Sequence, residues 1–219
     1  MSEHQPFSRV LRRATAAAHE RAHHSTYMAA LLGGRLALDD YATLVVQYWH
    51  IYGALEDGAD RLGDHPVVGG FAVDALRRRA AIAADLAFLR GPGWADELTP
   101  LPATASYCAR IREAVEQWPG GWVAHHYTRY LGDLAGGQAV RGLLRRTYGV
   151  TGDGSRFYDF TALGPVPAFR ARYRALLDAA AWDDGERARI AAEACRAFEL
   201  NIAMLAELAG TVPPEHLAA

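Results

Sequence analysis

Apolar residues recur along almost the whole chain at intervals of three and four, which is the period of an α-helix. No segment alternates apolar and polar residues as a half-buried strand would. The clearest case follows Asp39, where eight apolar side chains share one side of a helix that should end at Pro66: Tyr41, Leu44, Val45, Tyr48, Ile51, Tyr52, Leu55 and Leu62. The pattern predicts an all-α protein.

Capping residues and glycine or proline breaks divide this pattern into separate helices. Ser8 and Asp39 are expected to cap two of them, and Asp183 with Glu186 forms a predicted capping box for the last. The predicted helices cover residues 8–24 with a short continuation to 33, then 39–65, 74–90, 103–118, 122–148, 167–182 and 184–210. Residues 155–166 should be irregular, and residues 211–219 should form a short polar tail. We therefore predict a single-domain bundle of seven or eight helices over residues 1–219, with its core at about 7–210.

Net charge, the lengths of apolar runs and the spacing of the cysteines argue against several classes of binding partner. A net charge of −2 gives no general attraction to nucleic acid. The chain contains no run of 18 apolar residues that would span a membrane, and residues 1–10 lack the apolar core of a signal peptide. Its only cysteines, Cys108 and Cys195, have no metal-binding spacing. We expect a cytoplasmic monomer that binds neither nucleic acid nor membranes.

Three glycines interrupt the strongest helical segment of the second half. Gly132, Gly136 and Gly137 together cost the helix about 3 kcal/mol relative to alanine. Gly132 and Gly136 share one face, which allows another surface to approach the backbone closely. Spacing alone leaves open whether that surface is a helix or a flat ligand. Asp133 between them is either an exposed carboxylate or one that holds water and relays a proton.

His19 follows a run of small residues on the first predicted helix, which leaves room for a bulky ligand. A neutral imidazole is a common axial ligand of heme iron, although a lone helical histidine is more often a surface residue. With Glu20 and His23 it also matches the H-E-x-x-H pattern of zinc peptidases. That class needs a third protein ligand, for which Glu56 is the candidate.

Other polar clusters are expected at the surface. The adjacent histidines His125 and His126 point apart on a helix and should lie at the surface. Residues 77–79, which are all arginine, should be solvated or else meet an acidic partner. Arg170 and Arg174 are one turn apart, so they either bind one anionic group together or form a solvated face.

Five segments, in order along residues 7–210, resemble the heme oxygenase family. The most specific is residues 125–138, HHYTRYLGDLAGGQ, which is similar to the distal-helix signature of that family. The other four are Ala14-Thr15 with His19, residues 48–56, residues 85–88 with Gly91-Pro92, and residues 198–202. The resemblance implies a heme oxygenase-like helical fold.

The resemblance also implies roles for individual residues. His19 corresponds to the proximal ligand of the heme iron, and Gly132 and Gly136 to positions whose backbone lies against the distal heme face. Asp133 corresponds to the aspartate that organises water beside the reacting oxygen. Tyr52 and Arg129 correspond to residues that support this water network.

Further positions follow from the same resemblance. Residues expected around the heme propionates are Arg12, Tyr127, Arg170 and Arg174, and those expected on the distal side of the pocket are Phe198 and Asn201. One departure is His23, which stands where the family often has a glutamate or similar acceptor, four residues after the proximal histidine.

The implied reaction uses heme b as both substrate and cofactor. It consumes O2 and electrons from a protein such as ferredoxin or a flavoprotein reductase, and yields biliverdin, carbon monoxide and ferrous iron. Three alternatives remain at this point: a heme carrier or sensor, a zinc peptidase, and another enzyme on the related thiaminase-like helical fold.

Overall fold

The computed structural model, which describes residues 5–218, contains ten α-helices, five short 3-10 helices and no strand within those residues. The predicted all-α bundle is therefore confirmed, while residues 1–4 and 219 of the predicted domain lie outside the described residues. The helices are α1 (Phe7–His23), α2 (Thr26–Leu32), α3 (Leu38–Leu62), α4 (Arg79–Arg90), α5 (Pro102–Gln117), α6 (Pro119–His126), α7 (Gly132–Tyr148), α8 (Val166–Ala179), α9 (Asp184–Thr211) and α10 (Pro214–Leu217). None of these described helices has both the length and the apolar character needed to cross a bilayer.

Two long helices organise the core. The apolar face of α3 packs against α4 and α5, while α9 packs against α1, α5 and α6. The helices α3 and α6 approach closely because Gly58 has no side chain: a Cβ there would lie 2.6 Å from Nε1 of Trp122. That indole is fully buried and donates a hydrogen bond to the carbonyl oxygen of Leu55 at 3.1 Å. A buried indole needs such a partner, so the pair fixes how α6 crosses α3.

The first helices begin earlier than predicted. Helix α1 follows Pro6, so Ser8 lies inside the helix and donates from its backbone N–H and its hydroxyl to Asp178 at 2.7 and 3.0 Å. Helix α3 follows Ala37, whose N–H donates to Asp40 at 2.8 Å. In both places the expected residue does not cap the helix. The carboxylates of Asp178 and Asp40 instead accept the free backbone N–H groups at the helix start.

The predicted helix 74–90 is divided. A 3-10 helix covers Asp74–Leu76, and α4 starts only at Arg79. The reason is Glu56 of α3, whose carboxylate accepts the N–H groups of Arg78 and Arg79 at 2.5 and 3.0 Å. Arg78 is buried and donates to the carbonyl oxygen of Asp159 at 2.6 Å, so the expectation that this arginine is solvated was wrong.

The helix predicted over residues 122–148 is interrupted in its middle. Pro119 follows directly after the end of the helix predicted over 103–118, as expected, and it also starts α6, because a proline at the first helical position loses no hydrogen bond. A π-helical turn, Tyr127–Leu131, then separates α6 from α7. Such turns insert one residue into a helix and are frequent at functional sites. The side chains that follow therefore face a different direction from those of a continuous helix.

The end of the chain is more ordered than the sequence predicts. Asp183 caps α9 by accepting the N–H of Glu186 at 2.7 Å, which confirms that cap. The Glu186 carboxylate instead accepts from Nε1 of Trp118 at 2.6 Å, so the capping box is half formed. Beyond α9, the expected polar tail contains α10, and Nδ1 of His216 lies 2.9 Å from Oδ2 of Asp40.

Candidate functional site

A cavity of about 930 Å³ opens between α1, α8, α9 and the turn that leads into α7. Its wall contains seven of the residues selected from the sequence: Arg12, His19, Tyr127, Gly132, Arg170, Arg174 and Phe198. Small residues complete it, including Ala16 of α1 and Ala171 and Ala175 of α8. The two α8 alanines were missed, although each directly follows one of the selected arginines and so repeats with the same one-turn spacing.

His19 projects from the exposed face of α1 with an aromatic ring on either side. The ring of Phe198 meets it edge-on at 5.9 Å between centroids, and the ring of His23 stacks nearly parallel at 6.4 Å. Phe198, which was expected on the distal side of the pocket with Asn201, lines the cavity and packs against His19, because α9 lies directly against α1. Phe198 therefore supports the imidazole of His19.

The glycines of α7 divide into two kinds. A Cβ on Gly132 or Gly136 would meet no protein atom within 4 Å, apart from the helix's own backbone and adjacent residues, whereas one on Gly137 would lie 2.8 Å from Cδ1 of Tyr158. Gly137 is therefore a packing glycine, and the helix-packing interpretation fails for the other two. Gly132 lies in the cavity wall, while Gly136 is exposed one turn further along and is not part of that wall.

A hydrogen-bonded group lies beside Gly132 and outside the cavity wall. The Tyr52 hydroxyl donates to Oδ2 of Asp133, and Nη2 of Arg129 lies 3.5 Å from Oδ1. Nη1 of Arg129 also donates to Oδ1 of Asn201 at 2.6 Å, and its guanidinium stacks over Tyr48 at 4.7 Å. Burial raises the pKa of Asp133 well above its ordinary value of 3.8. This carboxyl group can therefore hold a proton in a range where a solvated aspartate cannot.

One end of the cavity carries positive charge. Arg12, Arg170 and Arg174 all line it, and within residues 5–218 none of them has a carboxylate at ion-pair distance. Burial raises the pKa of the neighbouring Tyr127, whereas the positive charges of these three arginines lower it. Asp178, a carboxylate in the same wall, is already engaged by Ser8. Unpaired guanidinium groups of this kind favour an anionic, carboxylate-bearing ligand.

The H-E-x-x-H pattern does not form a peptidase site. Glu56, the candidate third ligand, is used to cap α4. Within the described part of the chain, no group of three or more His, Cys, Asp or Glu residues is arranged to hold a metal ion.

The structure also contradicts the expected exposure of two histidines. His125 and His126 are both buried. Nε2 of His125 lies 2.9 Å from Oε1 of Glu193, and Nδ1 of His126 lies 2.9 Å from the hydroxyl of Tyr173. Both histidines are buried because α6 packs against α5 and α9.

Comparison with known proteins decides the family. The sequence model described as heme oxygenase matches residues 5–207, nearly the whole chain. The chain belongs to the heme oxygenase family. Heme oxygenase 1 of Nostoc sp. is 34% identical over 92% of this chain and 85% of its own length. Heme oxygenase 1 of Rattus norvegicus is 34% identical over 97% of this chain and 74% of its own length.

Solved heme oxygenase structures have the same fold. The crystal structure of heme oxygenase-1 from the cyanobacterium Synechocystis in complex with heme superposes with a TM-score of 0.90 at 30% identity, covering 94% of this chain and 93% of that one. The heme oxygenase of Leptospira interrogans superposes with a TM-score of 0.88 at 30% identity, covering 93% and 100% of the two chains. This heme oxygenase is therefore a heme-degrading oxidoreductase.

Proposed function

We propose that this heme oxygenase binds heme b through His19 and cleaves it with O2 to biliverdin, carbon monoxide and ferrous iron. One observation carries the proposal: His19 of α1 and the side-chain-free Gly132 of α7 belong to the wall of a single cavity of about 930 Å³. That volume lies within the usual range of small-molecule and cofactor sites, roughly 300–1,000 Å³. An imidazole and an open glycine face on the same cavity fit a flat iron porphyrin.

The charge of the cavity supports the same ligand. Heme carries two propionate groups, and Arg12, Arg170 and Arg174 offer them guanidinium groups that no carboxylate of the described chain occupies. Tyr127 lies among these arginines and adds a hydroxyl. Clamping the propionates fixes the rotation of the ring, and thereby selects the meso carbon that reacts. The α-meso position is the expected one.

Bound heme supplies the iron centre at which O2 is activated, and electrons come from a separate protein such as ferredoxin or a flavoprotein reductase. The protein side of the chemistry is assigned to the group beside Gly132. Asp133 holds and delivers protons through water, because burial keeps its carboxyl group protonated over a wider pH range. Tyr52 and Arg129 orient that carboxyl group, and Asn201 holds Arg129 in place.

Addition of hemin to the purified protein, followed by a reductase and O2, tests the proposal. We expect a Soret band that decays into the absorption of biliverdin; a heme carrier would keep its Soret band unchanged. The variant His19→Ala should lose the histidine-ligated spectrum and turnover. His24→Ala is the matched control, because His24 is also exposed, directly after the end of α1, but lies 2.8 Å from the carboxylate of Glu20. An unaltered heme spectrum in His19→Ala would refute the ligand assignment.

A further inference from the structure

Helix α1 presents a second imidazole beside the proposed heme ligand. The rings of His19 and His23 are one helical turn apart, 6.4 Å between centroids and only 8° from parallel. Both side chains are exposed, and within residues 5–218 neither ring nitrogen has a hydrogen-bond or ion-pair partner. No hydrogen bond or ion pair of the described chain therefore has to break before both rings bind the same ion.

Two histidines at this spacing on one helix face form the metal-binding half of the H-E-x-x-H pattern. A peptidase site also needs a third protein ligand, and none joins the pair among the described residues, because the candidate Glu56 caps α4. Glu20 is engaged with His24 at 2.8 Å. An ion held by the pair would thus keep water at its remaining positions and exchange readily.

We propose that in the heme-free protein His19 and His23 together bind one divalent transition-metal ion, and that this ion competes with heme for His19. A site of two imidazoles imposes no particular coordination geometry on the ion. The affinity then follows the general order of the divalent first-row transition metals, in which Cu²⁺ binds more tightly than Zn²⁺. The competition rests on the proposed role of His19 in heme binding, whereas the metal site does not. Heme loading then depends on the free transition-metal concentration.

Calorimetric titration of the heme-free protein with CuSO4 and with ZnCl2 tests the metal site. We expect one ion per chain, with tighter binding of Cu²⁺. Because two linked ligands bind far more tightly than either alone, His19→Ala and His23→Ala should each weaken binding by about a hundredfold. His24→Ala is the control and should leave the affinity unchanged. The site is overturned if the unmodified protein binds neither ion, or if His23→Ala binds as tightly as the unmodified protein.

Hemin titration followed by absorbance, with and without ZnCl2, tests the competition. Zinc should raise the apparent Kd for hemin in the unmodified protein and in His24→Ala, but not in His23→Ala. If zinc binds the pair and leaves hemin affinity unchanged, the metal site stands while the competition and the assignment of His19 to heme are both refuted. The two hypotheses can therefore fail separately.

Discussion

The hydroxyl of Tyr52 in the middle of α3 donates a hydrogen bond to the carboxylate of Asp133 in the first turn of α7, 81 residues later in the chain. This bond joins α3, one of the two long helices of the core, to the edge of the cavity. Arg129 approaches the other carboxylate oxygen at 3.5 Å. The carboxyl group is thereby held in one orientation at the point where α7 begins.

Replacement of Asp133 by asparagine should separate heme binding from turnover. The amide is close in size to the carboxyl group but cannot transfer a proton in its place, and general acid–base groups contribute about 10²- to 10⁴-fold to rates. We expect Asp133→Asn to bind hemin with nearly unchanged affinity and to lose about a hundredfold or more in the rate of biliverdin formation. Tyr52→Phe, which keeps the carboxyl group, should lose less. Normal biliverdin yield in Asp133→Asn would refute the proton-relay role.

The substitution Asp133→Asn should also change how the stability of the fold depends on pH. Burial raises the pKa of Asp133 in the folded state, so folding disfavours its ionised form. The protein therefore loses stability as the pH rises above 3.8, the ordinary pKa of this carboxyl group, because the folded state resists releasing the proton. Asp133→Asn should melt at a higher temperature than the unmodified protein near neutral pH, and the difference should shrink toward pH 4. Equal Tm values at every pH would show that Asp133 is not desolvated.

Gly132 and Gly137 offer a matched pair of alanine substitutions. A Cβ at position 132 meets no protein atom within 4 Å, so Gly132→Ala should stabilise the heme-free protein by about 1 kcal/mol through helix propensity alone. The same methyl group narrows the cavity and should weaken hemin binding. Gly137→Ala should instead destabilise the protein, because its Cβ would lie 2.8 Å from the ring of Tyr158. Urea unfolding and hemin titration measure both effects; loss of stability in Gly132→Ala would contradict the open face.

The sequence predicted those features that depend on local spacing. The one-turn repeat of Arg170 and Arg174 and the glycine face of α7 required no tertiary information, and both line or border the cavity. Features that depend on a distant partner were missed. Arg78 is buried because carbonyl groups some 80 residues away accept its guanidinium, and the break before Arg79 is set by Glu56 of another helix. The π-helical turn was missed because the apolar period is helical on both sides of it, and one inserted residue shifts the phase of that period without ending it.

Arg170 should control which meso carbon reacts. It lines the cavity beside Arg12 and Arg174, so its loss should weaken the proposed clamp on the propionates and let the ring rotate. We expect Arg170→Ala to remain active and to produce a mixture of biliverdin isomers, separated by chromatography. Arg172→Ala is the control on the same helix, since that guanidinium lies over Phe169 at 5.6 Å and outside the cavity wall. A single unchanged isomer from Arg170→Ala would contradict the clamp.

Glu193 of α9 lies at the centre of a buried polar cluster that connects α9 with α5 and α6. Arg110 donates to both of its carboxylate oxygens at 2.7 Å, and His125 approaches one of them at 2.9 Å. Burial alone would raise the pKa of this carboxyl group, but these hydrogen bonds outweigh it and lower the pKa from 4.5 to about 2. A lowered pKa means that the cluster stabilises the fold at neutral pH and loses this contribution as the pH falls from 4.5 toward 2.

Acid unfolding should therefore expose the contribution of Glu193. The lowered pKa corresponds to about 3 kcal/mol at neutral pH. We expect Glu193→Gln to lower the free energy of unfolding by about that amount near pH 7, and to flatten its dependence on pH between about 4.5 and 2, measured by urea unfolding at each pH. Glu113→Gln removes the more exposed partner of Arg110 and should cost about 1 kcal/mol or less. If both variants lose the same stability, Arg110 is held by its surface partner and the buried pair is not what ties α5 to α9.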